Sequence, residues 1–514
     1  MALPVNWLLV PLSELLVGIE SGKSFKCDER PPMTGEIGVV KVSAVSWGAY
    51  QEQESKTCTD PERINSALFV QPGDFLFSRA NTIELVGACV IARHVKLRVM
   101  LSDKILRFRF VSEGMKPWVL DLLRSRYGRQ QIEALASGNQ DSMRNIGQER
   151  IGQVLVPLPP SAERSRIVDK LEELLSDLDA GVAELKAAQK KLAQYRQSLL
   201  KAAVEGRLTE AWRAQHGEPE ESGAQLLARI LRERRARWEA KQRAKFEAQG
   251  KAPIKDWQSK YPEPTRPETT ESESLPSGWE WATIDQLAEV GTGVTPLRSK
   301  ALYFQNGTTP WVTSGALNNE FVSAAKEHVT ELAVKECRLE LYPSGSLLVA
   351  MYGEGKTRGK CAELLLPATI NQAIAALVLQ PVASGCKDYV KTFLLKSYEL
   401  MREQASGGVQ PNLNLQILKS IALPLPPLAE QSEIAAAITE SFAQLQQQSD
   451  AVQHALRQSA AQRKNILQAA FSGQLVPQDP NDEPASELLA RIRAERAALD
   501  ATKGRRGRAA RKSA

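Results

Sequence analysis

The chain contains a copy of part of itself. Residues 157–208 and 424–475 align without a gap over 52 positions, and 18 of these are identical. Both segments open on Pro-Leu-Pro-Pro, at 157–160 and 424–427, and Gly206 near the end of the first faces Gly473 in the second. Glu163, Ile167 and Leu178 fall opposite Glu430, Ile434 and Leu445, and the pentapeptide LLARI recurs at 226–230 and 488–492. The beginnings of the halves also correspond. LPVNWLLVPLSEL at 3–15 answers LPSGWEWATIDQL at 275–287, with Trp7 opposite Trp279 and Leu15 opposite Leu287. Between these matched ends, residues 20–136 and 292–405 share little. A unit copied once, with its frame kept and its interior diverged, implies two domains of similar build and unlike surfaces. At 514 residues the chain also exceeds what one core ordinarily holds.

The repeated segment has its own mechanics. Consecutive prolines hold the backbone extended, and a helix can start directly after them, with Glu163 or Glu430 in the first turn beside the positive helix end. No proline follows before Gly206. Leu171, Leu178, Leu185, Leu192 and Leu199 recur every seventh residue, with Ile167, Leu174, Ala188, Tyr195 and Ala202 as a second seam and Gly181 as its gap. The second copy is more polar, with Ser441, Gln448, Ser459 and Gln462 on its seams, so its natural partner is the first helix. Two copies of one unit bury equivalent faces about a pseudo-two-fold axis when their helices run antiparallel. Each helix would be roughly 65–70 Å long. The expected fold class is α+β: two α/β domains separated by two long antiparallel coiled-coil helices, as a pseudo-two-fold internal repeat. The boundaries read as 1–157 for the first domain, 158–206 for the first helix, 275–424 for the second domain and 425–473 for the second helix. Residues 207–274 read as a charged helical insert with a Pro/Ser-rich linker, and 474–514 as a C-terminal segment with a basic tail.

Several function classes are excluded by composition. The six cysteines are scattered, no two within four residues, and the four histidines lie far apart in sequence, so neither a disulfide framework nor a metal site is expected. The formal charge of +6 is concentrated in the last fourteen residues, which carry six basic side chains and no acid. Binding of an anionic polymer must therefore rest on local patches. No apolar run is long enough to span a bilayer, and Pro4, Pro11 and Glu14 interrupt the apolar start, so a cytoplasmic protein without a signal peptide is expected. GIESGKS at 18–24 is one residue short of a phosphate loop, and GEGKT at 353–357 has Ala350 where the first glycine would stand. The lone GTG at 291–293 is too weak for a cofactor site. The chain is expected to be no enzyme, with no catalytic, cofactor-binding or metal-ligating residues.

The order of parts resembles the specificity subunit of Type I restriction-modification systems. The resemblance rests on LPSGW at 275–279, TPWVTSGALN at 309–318, SGGVQPNLN at 406–414 followed by LPLPPLAEQ at 423–431, and PGDFLFSRA at 72–80. It spans nearly the whole chain; the departures are LPVNW in the first half, the charged insert and the basic tail. It implies that each variable domain is a target recognition domain reading half of a bipartite, asymmetric site in double-stranded DNA. It implies that the helices set the spacing and dock two methyltransferase subunits, and that restriction translocase-nuclease subunits join them. Adenine methylation and cleavage would then be partner activities, with S-adenosylmethionine, ATP and Mg on the partners.

Base edges are read best by Arg, Lys, Asn and Gln on exposed loops, and phosphates by Lys, Arg, Ser and Thr. Four polar loops offer these side chains. SRANT at 78–82 offers Ser78, Arg79 and Asn81, and SGNQDSMRN at 137–145 offers Gln140, Arg144 and Asn145. MYGEGKTRGK at 351–360 offers Tyr352, Lys356, Arg358 and Lys360, and SGGVQPNLN offers Gln410, Asn412 and Asn414.

Overall fold

The computed structural model describes residues 3–46, 48–140, 143–250, 252–253, 255–268, 274–352, 359–397 and 413–512. It divides into two compact units that cut across the sequential boundaries. The first joins residues 1–186 to 453–514, and the second is the continuous stretch 187–452.

In the first unit the strands run, in chain order, β1 (Leu8–Pro11), β2 (Leu16–Ser21), β3 (Gly38–Val40) and β4 (Ser55–Thr57). Then come β5 (Phe75–Ser78), β6 (Ala80–Asn81), β7 (Cys89–Ile91) and β8 (Val99–Met100). The last are β9 (Ile105–Phe110), β10 (Ser137–Gln140), β11 (Met143–Asn145) and β12 (Leu155–Leu158). The main sheet has the order β2-β9-β5-β7, and a second has β4-β3-β8. β3 is antiparallel to β4 and parallel to β8. Alternation along the strands serves two cores, because successive side chains leave opposite faces. Phe75, Phe77 and Phe108 pack with the helices Met115–Arg124 and Arg126–Leu135, while Leu76, Val90 and Ile105 face a second cluster with Val40 and Leu101. β1 pairs with β12, so both ends of the variable segment are tied together where the first long helix begins.

The second unit contains β13 (Glu280–Thr283), β14 (Ala288–Thr292), β15 (Thr309–Val312), β16 (Phe321–Val322) and β17 (Glu327–Val329). It continues with β18 (Leu347–Ala350), β19 (Cys361–Leu364), β20 (Thr369–Ile370), β21 (Ile374–Leu379) and β22 (Ala422–Leu425). Its main sheet runs β14-β21-β18-β19-β16, its second sheet β17-β15-β20, and β13 pairs with β22. β15 is antiparallel to β17 and parallel to β20, the same arrangement as around β3. The interiors thus differ in sequence and agree in topology. Matching turns confirm the register. The Gly73 amide reaches the Ala92 carbonyl as Gly345 reaches Leu364, each at 2.7 Å, and both glycines have positive φ. Cys89 and Cys361 occupy one equivalent position, opposite Phe77 and Val349.

The long helices span Ser161–Val204 and Leu428–Phe471. Within the first unit, Ile167 and Leu171 pack in one core with Leu467 and Phe471, and Asp179 pairs with Arg463, so these helix segments run antiparallel. Within the second unit, Leu199 and Ala203 share a core with Ile434 and Ile438, and Arg196 lies 3.9 Å over the Phe442 ring, again antiparallel. The first seam keeps the heptad in both helices, since Leu171, Leu178, Leu185, Leu192 and Leu199, and Ile438, Leu445, Val452, Ser459 and Ile466, are all buried or half-buried, whereas the second seam slips. Tyr195, Gln448 and Gln462 are exposed, while Arg196, Ser449 and Arg463 turn inward.

The segment expected to be an insert has a counterpart. Helix Gly223–Ala248 and helix Ala485–Lys512 each follow a long helix, and each carries LLARI. The Gly223 amide donates to Gly278 at 2.7 Å in the second unit, and the Ala485 amide donates to Asn6 at 3.1 Å in the first. Leu226, Leu227 and Ile230 are buried in one core, and Leu488, Leu489 and Ile492 in the other. The copied unit therefore includes this capping helix, and the basic tail continues it.

Candidate nucleic-acid interface

The main sheet of the first unit is prolonged past the start of β9 by irregular segments that keep neighbouring order. The Gly22 amide donates to Ser102 at 3.1 Å, the Arg79 amide to Lys104 at 2.9 Å, and the Ile146 amide to Arg79 at 2.9 Å. β6 pairs with β11, placing Asn81 opposite Arg144, and β11 pairs with β10. Two loops separated by some sixty residues thus form one surface. Arg79 Nε donates to Asn145 Oδ1 at 3.3 Å, and Arg79, Asn81 and Arg144 are half-buried while Asn145 is exposed. Gln140 stands opposite Met143 in the hairpin; its side chain lies outside the described residues. Arg144 donates to the Gly138 carbonyl, and its Nε is enclosed without a partner among the described residues.

Ser78 corrects the expectation for its loop. It closes β5, fully buried, and its hydroxyl is enclosed with no partner among the described residues. Its work is done by the backbone, which bonds Ala88 and Gly87 at 2.8 Å each.

In the second unit the corresponding connection runs from Met351 to Gly359. The Met351 amide donates to Ala373 at 2.8 Å, as Arg79 does to Lys104, and Gly359 donates to Ala350 as Gly87 does to Ser78. Both connections are nine residues long, 79–87 and 351–359. The two loops selected from sequence therefore occupy one topological position. Tyr352 is exposed beside this strand end. Lys356, Arg358, Gln410 and Asn412 lie outside the described residues. Lys360 sits past the loop, donating to Asn318 Oδ1 at 2.8 Å, and lines a cleft of about 400 Å³ with Arg196, Gln197 and Glu320. Asn414 is a helix N-cap: its Oδ1 accepts from the Ile417 amide at 2.8 Å, which commits the side chain expected to contact a ligand.

A shared detail fixes the flank of both surfaces. A Cβ on Gly22 would lie 1.8 Å from the Leu101 carbonyl oxygen, and one on Gly293 would lie 1.6 Å from that of Ile370. Two residues further on, Ser24 bonds Asp103 and Thr295 bonds Gln372. Among the described residues no group of His, Cys, Asp or Glu is arranged to hold a metal, and no helix is long and apolar enough to cross a membrane. Burial pushes the Cys89 and Cys361 thiols up to about 12 and Cys386 up to about 11, so none of the three is a ready nucleophile.

These features define a class: a protein with one scaffold used twice and different side chains offered at the corresponding sheet edge. Residues 276–452 match the family model described as the Type I restriction modification DNA specificity domain. The EcoEI specificity subunit of Escherichia coli is 29% identical over 204 residues, 39% of this chain and 34% of that protein, so the matched stretch spans about a third of that relative. The EcoKI specificity subunit of Escherichia coli strain K12 is 24% identical over 98% of both chains. A chain from a solved structure titled for complex assembly and conformational transition of the type I R-M system shares the fold. Its TM-score is 0.61 at 18% identity, over 92% of this chain and 100% of that one. The chain is thus similar to Type I restriction-modification specificity subunits along nearly its whole length, with the family's DNA specificity domain matched in the second unit.

Proposed function

We propose that the chain is the sequence-specific DNA-binding subunit of a Type I restriction-modification complex. It reads a bipartite, asymmetric site and directs adenine methylation and restriction by partner subunits. The observation that carries this reading is the pairing of equal topology with unequal loops. Arg79 and Ala80 stand where the second unit has Met351 and Tyr352. Two readers of one build and different side chains recognise different half-sites. The contact set is Arg79, Asn81, Gln140, Arg144 and Asn145 in the first unit, and Tyr352, Lys356, Arg358, Gln410 and Asn412 in the second. The long helices fix the half-site spacing as a coiled-coil ruler and carry two methyltransferase subunits, with translocase-nuclease subunits completing the complex. Catalysis, S-adenosylmethionine, ATP and Mg belong to those partners, and the complex works in the cytoplasm.

Replacing 79–87 and 137–145 together with a relative's segments tests the reading. Methylome sequencing in a host that also expresses the methyltransferase partner should show one half of the methylated sequence altered and the other half kept. An unchanged sequence with methylation intact rejects the assignment. Arg79→Ala alone should relax preference at one base pair, by about 1–3 kcal/mol if its contact is bidentate.

A further inference from the structure

We propose that Lys23, Lys26 and Lys104 form a phosphate clamp beside the first unit's reading loop, holding a DNA backbone without reading its sequence. The inference rests on the DNA-binding reading above and adds a site to it. Residues 22–24 neighbour 102–104, which neighbour 79–81, which neighbour 144–145 and then 137–140. With strands about 4.8 Å apart, five neighbouring segments span roughly 19 Å, whereas the major groove is about 12 Å wide. If the hairpin end and Arg79 enter the groove, the Lys23 end lies over the phosphates bordering it.

The chemistry of that end suits phosphate. Lys23, Lys26 and Lys104 are exposed, and among the described residues none has a carboxylate within ion-pair distance. Many of the chain's other basic groups are engaged: Arg30 with Glu36, Lys56 with Glu29, Arg298 with Glu327 and Lys300 with Glu336. The acid within this row is Asp103, which accepts from Ser24 and orients it. Arg79 and Arg144 add two positive charges further along the row. The sequence GKS was one residue short of a nucleotide-binding loop; here it supplies a lysine and a hydroxyl to a sheet edge instead.

The second unit isolates the feature. Counting from Gly293 and Ile370, the equivalents of Lys23, Lys26 and Lys104 are Val294, Leu297 and Ala373. Val294 and Leu297 are 45% and 65% exposed, so neither is needed for the core. The flank is thus cationic in one unit and apolar in the other. In the second, the sequence places Lys356 and Arg358 inside the loop itself.

The test uses the full chain and a random-sequence 30-base-pair duplex, with affinity measured by fluorescence anisotropy across a salt series. Each lost phosphate contact lowers the slope of log K against log salt by about 0.9. Lys23→Gln/Lys26→Gln/Lys104→Gln should therefore lower it by about 2.7, and each single variant by about 0.9. The triple Lys→Arg variant should keep the wild-type slope. Lys186→Gln/Lys190→Gln/Lys191→Gln on the long helix should also leave it unchanged. The methylated sequence in a host carrying the partner subunits should not move. A wild-type slope in the triple Gln variant overturns the clamp and leaves the DNA reading standing, and so does a changed methylated sequence. Absence of any duplex binding by the wild-type chain overturns the DNA reading and the clamp with it. Equal unfolding midpoints for wild type and variants show that the slopes report contacts rather than folding.

Discussion

At one place in the main sheet the two units solve the same packing problem with opposite chemistry. In the first, Arg107 on β9 is 1% exposed and bonds Asp74 and Glu20, with further bonds to the Phe69 and Ala67 carbonyls. The strand register puts Ala376 at this position in the second unit, with Ser346 for Asp74 and Gly291 for Glu20. Tyr342 fills the space, its hydroxyl bonding the Thr292 carbonyl at 3.1 Å and lying where a Cβ on Gly291 would be. A buried ion cluster and a packed tyrosine hold equivalent strands. The lesson is that topology here depends on filling and satisfying the site, not on a particular pair of charges.

That comparison can be broken at its strongest point. Arg107→Met leaves Asp74 and Glu20 only the half-exposed Arg109 as a cation, and loss of one partner of a buried pair costs about 3–5 kcal/mol. Hydrogen exchange should show the first unit's sheet losing protection while the second unit's sheet keeps it. Equal protection in both would mean that the cluster carries no net stability.

The second contrast lies at the starts of the long helices. Trp7 donates to Glu163 at 2.9 Å, and Trp279 donates to Glu430 at 2.8 Å. Glu430 also accepts from Thr209 at 2.6 Å and from Arg213. Glu163 has no such support: Val476 and Pro480 stand at the matching offsets, and its Oε1 is buried without a partner among the described residues. Glu430→Gln should therefore destabilise the second unit by about 1.5–3 kcal/mol, the range for bonds involving a charged group. Urea unfolding followed by the Trp279 environment would measure it.

Next in size is Asn414→Ala, which removes a helix cap where the first unit has Gly147 and should cost about 1 kcal/mol in thermal unfolding. The smallest effect has the opposite sign. Burial raises the Glu163 carboxyl above its ordinary value, with the Trp7 indole opposing. Such a group binds more protons folded than unfolded. Its unfavourable contribution is absent in acid and grows as pH climbs through the ordinary carboxylate range to the raised value. Glu163→Gln keeps an acceptor for Trp7 and should stabilise the first unit near neutral pH by about 1 kcal/mol or less, with no gain in acid. A loss at neutral pH would show that the charge is being used.

Much of the fold was legible because a duplication repeats its own evidence. The Pro-Leu-Pro-Pro turn, the long helices and the tryptophan pair appear twice in sequence and twice in structure. The loops at 79–81 and 351–352 were legible as polar runs after an apolar strand. Individual side chains were less so. Ser78 and Asn414 are the right residue types for contact, but one is sealed under a hairpin and the other caps a helix. The flanking lysines were missed because GKS was judged only as a nucleotide motif.

The sequence by itself determined that one build occurs twice, each copy leading through a Pro-Leu-Pro-Pro turn into a long helix. Local signals suffice for that: proline punctuation, helical periodicity and identity at a fixed offset. Only the tertiary structure decided that residues 453–514 complete the first unit, that 79–81 and 143–145 share a sheet, and that the second seam of the long helices leaves Tyr195, Gln448 and Gln462 exposed. These depend on which distant surfaces exclude water together, and one chain's residue order does not encode that pairing locally.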